Sequence, residues 1–229
     1  GTTIPFKFND LEEIKRIVQE NGLAAIKMEV QRSEEPKEGY LEAISNLCKK
    51  KGIVLIFDEC TSGFRETYGG IHLKYKIEPD IALFGKALGN GYAITAILGK
   101  EEVMNSVQKT FMSSTFWTER IGPTAALKTL ELMEKNNSWE YVTELGKYIQ
   151  KSWSEIAKRC ELPIKIYGIP ALSFFSLKLK DWPKYKTFIS QEMLKSRILA
   201  SDKIYVCTSH NKKNINFYLE KLEEVFWKI

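Results

Sequence analysis

The sequence predicts an α/β fold, a mostly parallel sheet with flanking helices, followed by a small α+β unit. Three observations carry that expectation. Ile53-Val54-Leu55-Ile56-Phe57 is an unbroken apolar β-former, the pattern of a strand covered on both faces in a parallel sheet. A second short strand, Asp80 to Phe84, ends like the first on polar residues, Gly85-Lys86 after Asp58-Glu59. Beyond Asn136-Asn137-Ser138, strands and helices cease to alternate strictly, which places a boundary there and gives expected domains of 1–136 and 137–229.

The elements follow in chain order. Asn9 or Asp10 caps a helix with Leu11, Ile14, Ile17 and Val18 on one face, ending at Asn21-Gly22. Leu23 to Val30 reads as a strand. Gly39 to Lys51 has helical spacing through Leu41, Ile44 and Leu47 and stops at Gly52. After the Ile53 strand, a glycine-bearing loop from Cys60 to Gly70 leads to the Asp80 strand. Tyr92 to Gly99 reads as a further strand, and Glu101 to Gln108 as a short helix. A long helix runs from Glu119 to about Lys135, with Pro123 tolerable in its first turn. In the second part, a helix from Trp139 to Cys160 precedes strands Ile164 to Tyr167 and Ala171 to Leu179, joined by a Gly-Ile-Pro turn. A helix near Lys184 to Lys195, a strand Ile204 to Thr208 and a helix from Asn211 to Phe226 complete the chain.

At 229 residues the chain can bury a substantial core, and 44% hydrophobic with 28% charged residues is ordinary for a folded, non-membrane protein. No apolar run approaches the ~20 residues of a transmembrane helix. The net charge of +5 is scattered, and no basic stripe interleaved with aromatics points to nucleic acid. The four cysteines, Cys48, Cys60, Cys160 and Cys207, are far apart and form no close metal-ligand pair, so they read as reduced thiols in a reducing, cytoplasmic setting. The chain opens Gly1-Thr2-Thr3 without a secretory signal, as expected of a trimmed or partial chain.

Two positions stand out chemically. A lysine that is to form a Schiff base needs surroundings that favour its neutral amine. Lys86 follows an apolar strand and is flanked by Gly85, Gly89 and Gly91, which let the backbone pass close to a planar ligand. The plain alternative is an exposed lysine in a turn. Asp58 closes the preceding strand, where ligands of open α/β sheets bind. A carboxylate there can keep a pyridine nitrogen protonated so that pyridoxal phosphate (PLP) acts as an electron sink. It can also cap a turn, or join Glu59 on magnesium, although no third oxygen ligand with informative spacing lies nearby.

The blocks Phe57-Asp58-Glu59-Cys60-Thr61-Ser62-Gly63-Phe64-Arg65 and Pro79-Asp80-Ile81-Ala82-Leu83-Phe84-Gly85-Lys86-Ala87-Leu88-Gly89-Asn90-Gly91 together resemble the class III aminotransferases of PLP fold type I. The Gly-Phe-Arg ending is similar to glutamate-1-semialdehyde 2,1-aminomutase and its relatives. The resemblance extends from about Leu23 to the C terminus, where Ile198-Leu199-Ala200-Ser201 and Ser209-His210 look like the family's small-domain strand and turn.

The resemblance implies that residues 1–136 are part of a PLP-binding large domain, that Lys86 forms the internal aldimine, and that Asp58 pairs with the pyridinium. It implies that Thr115 reaches the cofactor phosphate, typically across a dimer interface, with Ser114 or Thr118 as alternative matches. The substrate amine would displace Lys86, whose freed amine then moves a proton between substrate and cofactor carbons. The implied substrate is a small amino or keto compound, and the implied assembly is a homodimer. Glu29 lies near a strand end, beside the site or in a structural salt bridge. His72 and His210 read as structural. Ser196-Arg197 and Trp117-Thr118-Glu119-Arg120 depart from the family pattern and leave the substrate open. Nothing before Leu23 resembles the family's phosphate loop or its ring-stacking aromatic, so the chain reads as the C-terminal portion of an enzyme. The alternative to an aminotransferase or aminomutase is a catalytically incomplete fragment with a structural or interaction role.

Overall fold

The structure, a computed structural model, describes residues 2–229. It contains two compact units, Gly1–Asn136 and Asn137–Ile229.

In the first unit, helix α1 (Leu11–Glu20) starts where the Asp10 carboxylate accepts the Glu13 amide at 3.0 Å, and it buries Ile14 and Val18. Strand β1 (Ala25–Met28) is followed by helix α2 (Tyr40–Lys51), which ends at Gly52 in the left-handed conformation. Strands β2 (Val54–Asp58), β3 (Ile81–Phe84) and β4 (Ala96–Gly99) complete a sheet of order β1-β2-β3-β4. The first three strands are parallel and β4 is antiparallel to β3. Short helices α3 (His72–Tyr75) and α4 (Glu101–Met104) and the longer α5 (Ile121–Asn136) fill the connections. Helix α5 begins at Ile121 rather than at Glu119 because the Glu119 carboxylate accepts the amides of Ile121 and Gly122, at 2.6 and 2.7 Å.

Side chains alternate across a strand, so this sheet has two distinct faces. One carries Ile26, Met28, Leu55, Phe57, Ala82 and Phe84, all buried. The other carries Ala25, Lys27, Val54, Ile56 and Asp58, which are exposed or half-buried. Strand β2 is thus covered fully on one face only, not on both as its apolar run led one to expect. Asp58, the last residue of β2, projects from that open face.

In the second unit, α6 (Ser138–Arg159), α7 (Trp182–Lys195) and α8 (Lys212–Phe226) accompany an antiparallel sheet of β5 (Ile164–Tyr167), β6 (Leu172–Leu177) and β7 (Lys203–Tyr205), in that order. Residues 198–201, expected as a strand, form none. The Ala200 amide turns back to the Ile198 carbonyl at 3.1 Å, and sheet pairing resumes only at Lys203. Trp153 is fully buried against Phe175 with ring centroids 4.9 Å apart, and its indole N–H donates to the Tyr218 hydroxyl at 3.0 Å. Burial pushes the Tyr218 phenol upward and outweighs the opposing pull of the indole donor. Trp153→Phe removes both the bond and part of the filled volume, so chemical denaturation is expected to show a loss of about 1–3 kcal/mol.

Candidate active site

Asp58 is the last residue of β2, on the open face of the sheet. Its Oδ1 accepts the Cys60 amide at 3.1 Å, and its Oδ2 lies 3.0 Å from the Lys27 ammonium, which reaches across from β1. Burial pushes the Asp58 carboxyl up, but the bonds from Lys27 and Cys60 outweigh it and hold the group below the usual carboxylate range. Asp58 is therefore a charged acceptor at neutral pH.

Strand β3 delivers the lysine. Beyond Phe84 the chain passes through extended Gly85 into a 3₁₀ turn, Lys86–Leu88. Lys86 takes a φ of 43°, in the left-handed region that a long side chain adopts only when its surroundings impose it. The turn closes by the Asn90 amide donating to the Lys86 carbonyl at 3.1 Å. It is tight enough that a Cβ on Gly89 would stand 2.2 Å from the Tyr92 carbonyl oxygen, so only glycine fits. The Lys86 ammonium donates to the Thr61 hydroxyl at 2.6 Å.

Residues 58–61 thus connect the acid to the amine. Cys60 interacts electrostatically with both Asp58 and Lys86, and burial together with Asp58 pushes its thiol up, toward the neutral form. An amine and an ionised carboxylate gather at the carboxyl ends of two adjacent parallel strands. Their chemistry fits a ligand that offers an electrophilic carbonyl to the lysine and a basic ring nitrogen to the acid.

Glu59 belongs to a different environment. Strand alternation turns it to the opposite side from Asp58, where it is fully buried. One oxygen lies 2.8 Å from His72 Nδ1 and accepts the His72 amide at 3.0 Å; the other accepts the Ser62 hydroxyl at 2.5 Å. Burial pushes this carboxyl up, but the bonds from His72 and Ser62 prevail and hold it below the usual range. Its oxygens are committed, so Asp58-Glu59 does not present a paired metal-binding edge. His72, which the sequence offered without a partner, is thereby tied to the base of the Cys60 loop.

Thr115 and Thr118 lie exposed in a turn of residues 115–118, with Ser114 exposed just before it, and among the described residues no hydrogen bond joins Thr115 to Asp58 or Lys86. Glu29, just past β1, pairs with Arg32 at 3.3 Å. The His210 ring accepts the Cys207 amide at 3.4 Å in a turn of the second unit. Thr61 and Lys27 are the contacts that the sequence reading missed. Thr61 stands inside the Asp58-to-Arg65 block, whereas Lys27 belongs to no recognisable motif and comes near Asp58 only through β1–β2 pairing.

Residues 6–195 match the family Aminotransferase class-III. The chain belongs to that family. It is 31% identical to 3-aminobutyryl-CoA aminotransferase of Cloacimonas acidaminovorans (strain Evry), over 96% of this chain and 56% of the relative. It is 27% identical to glutamate-1-semialdehyde 2,1-aminomutase of Sulfurihydrogenibium azorense, over 98% of this chain and 58% of that protein. Two solved structures share the fold, each at 20% sequence identity. The FumI protein of Sphingopyxis sp. MTA144, in its PLP internal aldimine form, superposes with a TM-score of 0.88 over 96% of this chain and 56% of its own. Acetylornithine aminotransferase from Elizabethkingia anophelis gives 0.87 over 99% of this chain and 60% of its own. The chain spans a little over half the length of these relatives.

Proposed function

We propose that this chain supplies the lysine and the ring-nitrogen acid of a PLP-dependent aminotransferase or aminomutase acting on a small amino or keto compound. The observation that carries the proposal is the placement of Lys86 and Asp58 at the ends of adjacent parallel strands, linked through Thr61 and Cys60. Bound PLP would supply an electron sink for cleaving a bond at the substrate's amine-bearing carbon. Lys86 Nζ would hold the cofactor's carbonyl carbon and, once released, carry a proton to or from the reacting carbon. Thr61 orients that amine through its hydroxyl. Asp58 would face the ring nitrogen as a carboxylate, a role suited to an acid whose neighbours already favour its charged form. Residues 1–136 would accordingly form part of the cofactor-binding domain.

The named relatives include both an aminotransferase and an aminomutase, and neither outcome is favoured by the residues around Lys86. A homodimeric assembly, with Thr115 serving a phosphate in the partner's site, is part of the same proposal and rests on family resemblance. The four free cysteines support a reducing, cytoplasmic setting, and among the described residues no helix is long and apolar enough to cross a membrane.

A second reading is favoured by the exposure of Thr115 and by the chain's half-length match: these residues alone hold the cofactor too weakly to turn over substrate and serve a structural role. Titrating PLP into the protein separates the two. Under the first reading, a visible absorption band grows with PLP and is weakened in Asp58→Asn; a wild-type protein that develops no band supports the second.

A further inference from the structure

We propose that Lys27 tunes Asp58: its ammonium, 3.0 Å from Oδ2, competes for the carboxylate's charge with a cationic ring nitrogen placed at the open sheet face. The inference rests on the PLP reading above, and it starts from a residue that reading does not use.

Lysine is a poor strand former, and nothing in the packing of β1 requires one at this position. Its neighbours Ile26 and Met28 point into the core, whereas Lys27 follows Ala25 onto the open face. Parallel pairing sets Lys27 beside Ile56, on the same face as Asp58 and two residues below it, and the long stem spans that offset. Asp58 Oδ1 accepts the Cys60 amide and Oδ2 faces the Lys27 ammonium, while the Cys60 thiol also bonds to the carboxylate. The other titratable groups around the acid are the Cys60 thiol and, through its action on Cys60, the Lys86 ammonium.

A ring nitrogen approaching Asp58 meets an acid already half neutralised by a neighbour. It gains less from protonation than it would beside an undivided carboxylate. The side chain of Lys27 is 56% exposed, so solvent screens the pair and the effect is graded rather than absolute.

The test compares wild type, Lys27→Met and Lys27→Arg by two measurements. In carboxyl-carbon NMR titrations without cofactor, the Asp58 midpoint is expected to rise in Lys27→Met and to return toward wild type in Lys27→Arg. An unchanged midpoint in Lys27→Met overturns the proposal. In PLP titrations followed by visible absorption, Lys27→Met is expected to bind about two- to fivefold more tightly, the scale of a partly exposed ion pair. Equal or weaker binding overturns the charge-sharing role. A wild-type protein that binds no PLP removes the cofactor reading, and the NMR titration still decides whether Lys27 governs Asp58.

Discussion

Under the proposed function, Lys86→Ala is expected to lower amino-group transfer by about 10²–10⁴-fold, the range lost when a positioned proton-transfer group is removed, with the covalent hold on the cofactor lost as well. The fold should survive, because the Lys86 side chain is exposed and its hydrogen bond goes to the Thr61 hydroxyl in a loop. A thermal midpoint close to wild type would confirm that activity, not folding, was removed. Lys86→Arg is expected to be equally inactive. Guanidinium keeps the charge but offers no free amine at neutral pH, so recovery of activity with arginine would argue that Lys86 acts only as a cation. The measurement is initial rate at saturating PLP, with circular dichroism melts as the control.

The second large effect concerns Glu59. Removing its carboxylate in Glu59→Ala leaves the His72 amide, the His72 ring and the Ser62 hydroxyl without their acceptor, in a fully buried position. The expected loss is about 3–5 kcal/mol by urea denaturation. Glu59→Gln keeps one carbonyl acceptor and should lose less. The pH dependence has a definite sign. Glu59 is held below its ordinary value in the folded protein, so its stabilisation is complete above the unfolded value of about 4.3 and fades as pH falls through the lower native value. The gap between wild type and Glu59→Gln should therefore narrow in acid, and a gap that widens there would contradict a charged Glu59.

Much of this fold was legible because it rests on local pattern. The Asp10 cap, the Gly52 stop and the apolar run of β2 are each decided within a few residues. Boundaries shifted where a side chain intervened, as when Glu119 took the first amides of α5. The strand expected at 198–201 came from family resemblance and not from local pattern, and the single covered face of β2 had another cause. An apolar run reports the tendency to be buried, not which elements are present to cover it or which neighbour pairs with it. Among the proposed site residues, Lys86 and Asp58 stood out by their places at strand ends and by the family resemblance of the blocks around them. Thr61 stood between them in sequence with nothing to mark its role, and a hydroxyl in a loop most often serves its own backbone. Lys27 was hidden more deeply. Its meeting with Asp58 depends on the β1–β2 register, a long-range fact that no local spacing encodes.

The central assignment, that Lys86 is the residue which bonds the cofactor, has a direct test. The protein is incubated with PLP, reduced with borohydride, digested and mapped by mass spectrometry. A pyridoxyl group on the peptide containing Lys86, absent from Lys86→Ala and present in Lys27→Met, is the expected result. Labelling confined to Lys27 or scattered over surface lysines, with the Lys86 peptide unmodified, would contradict it.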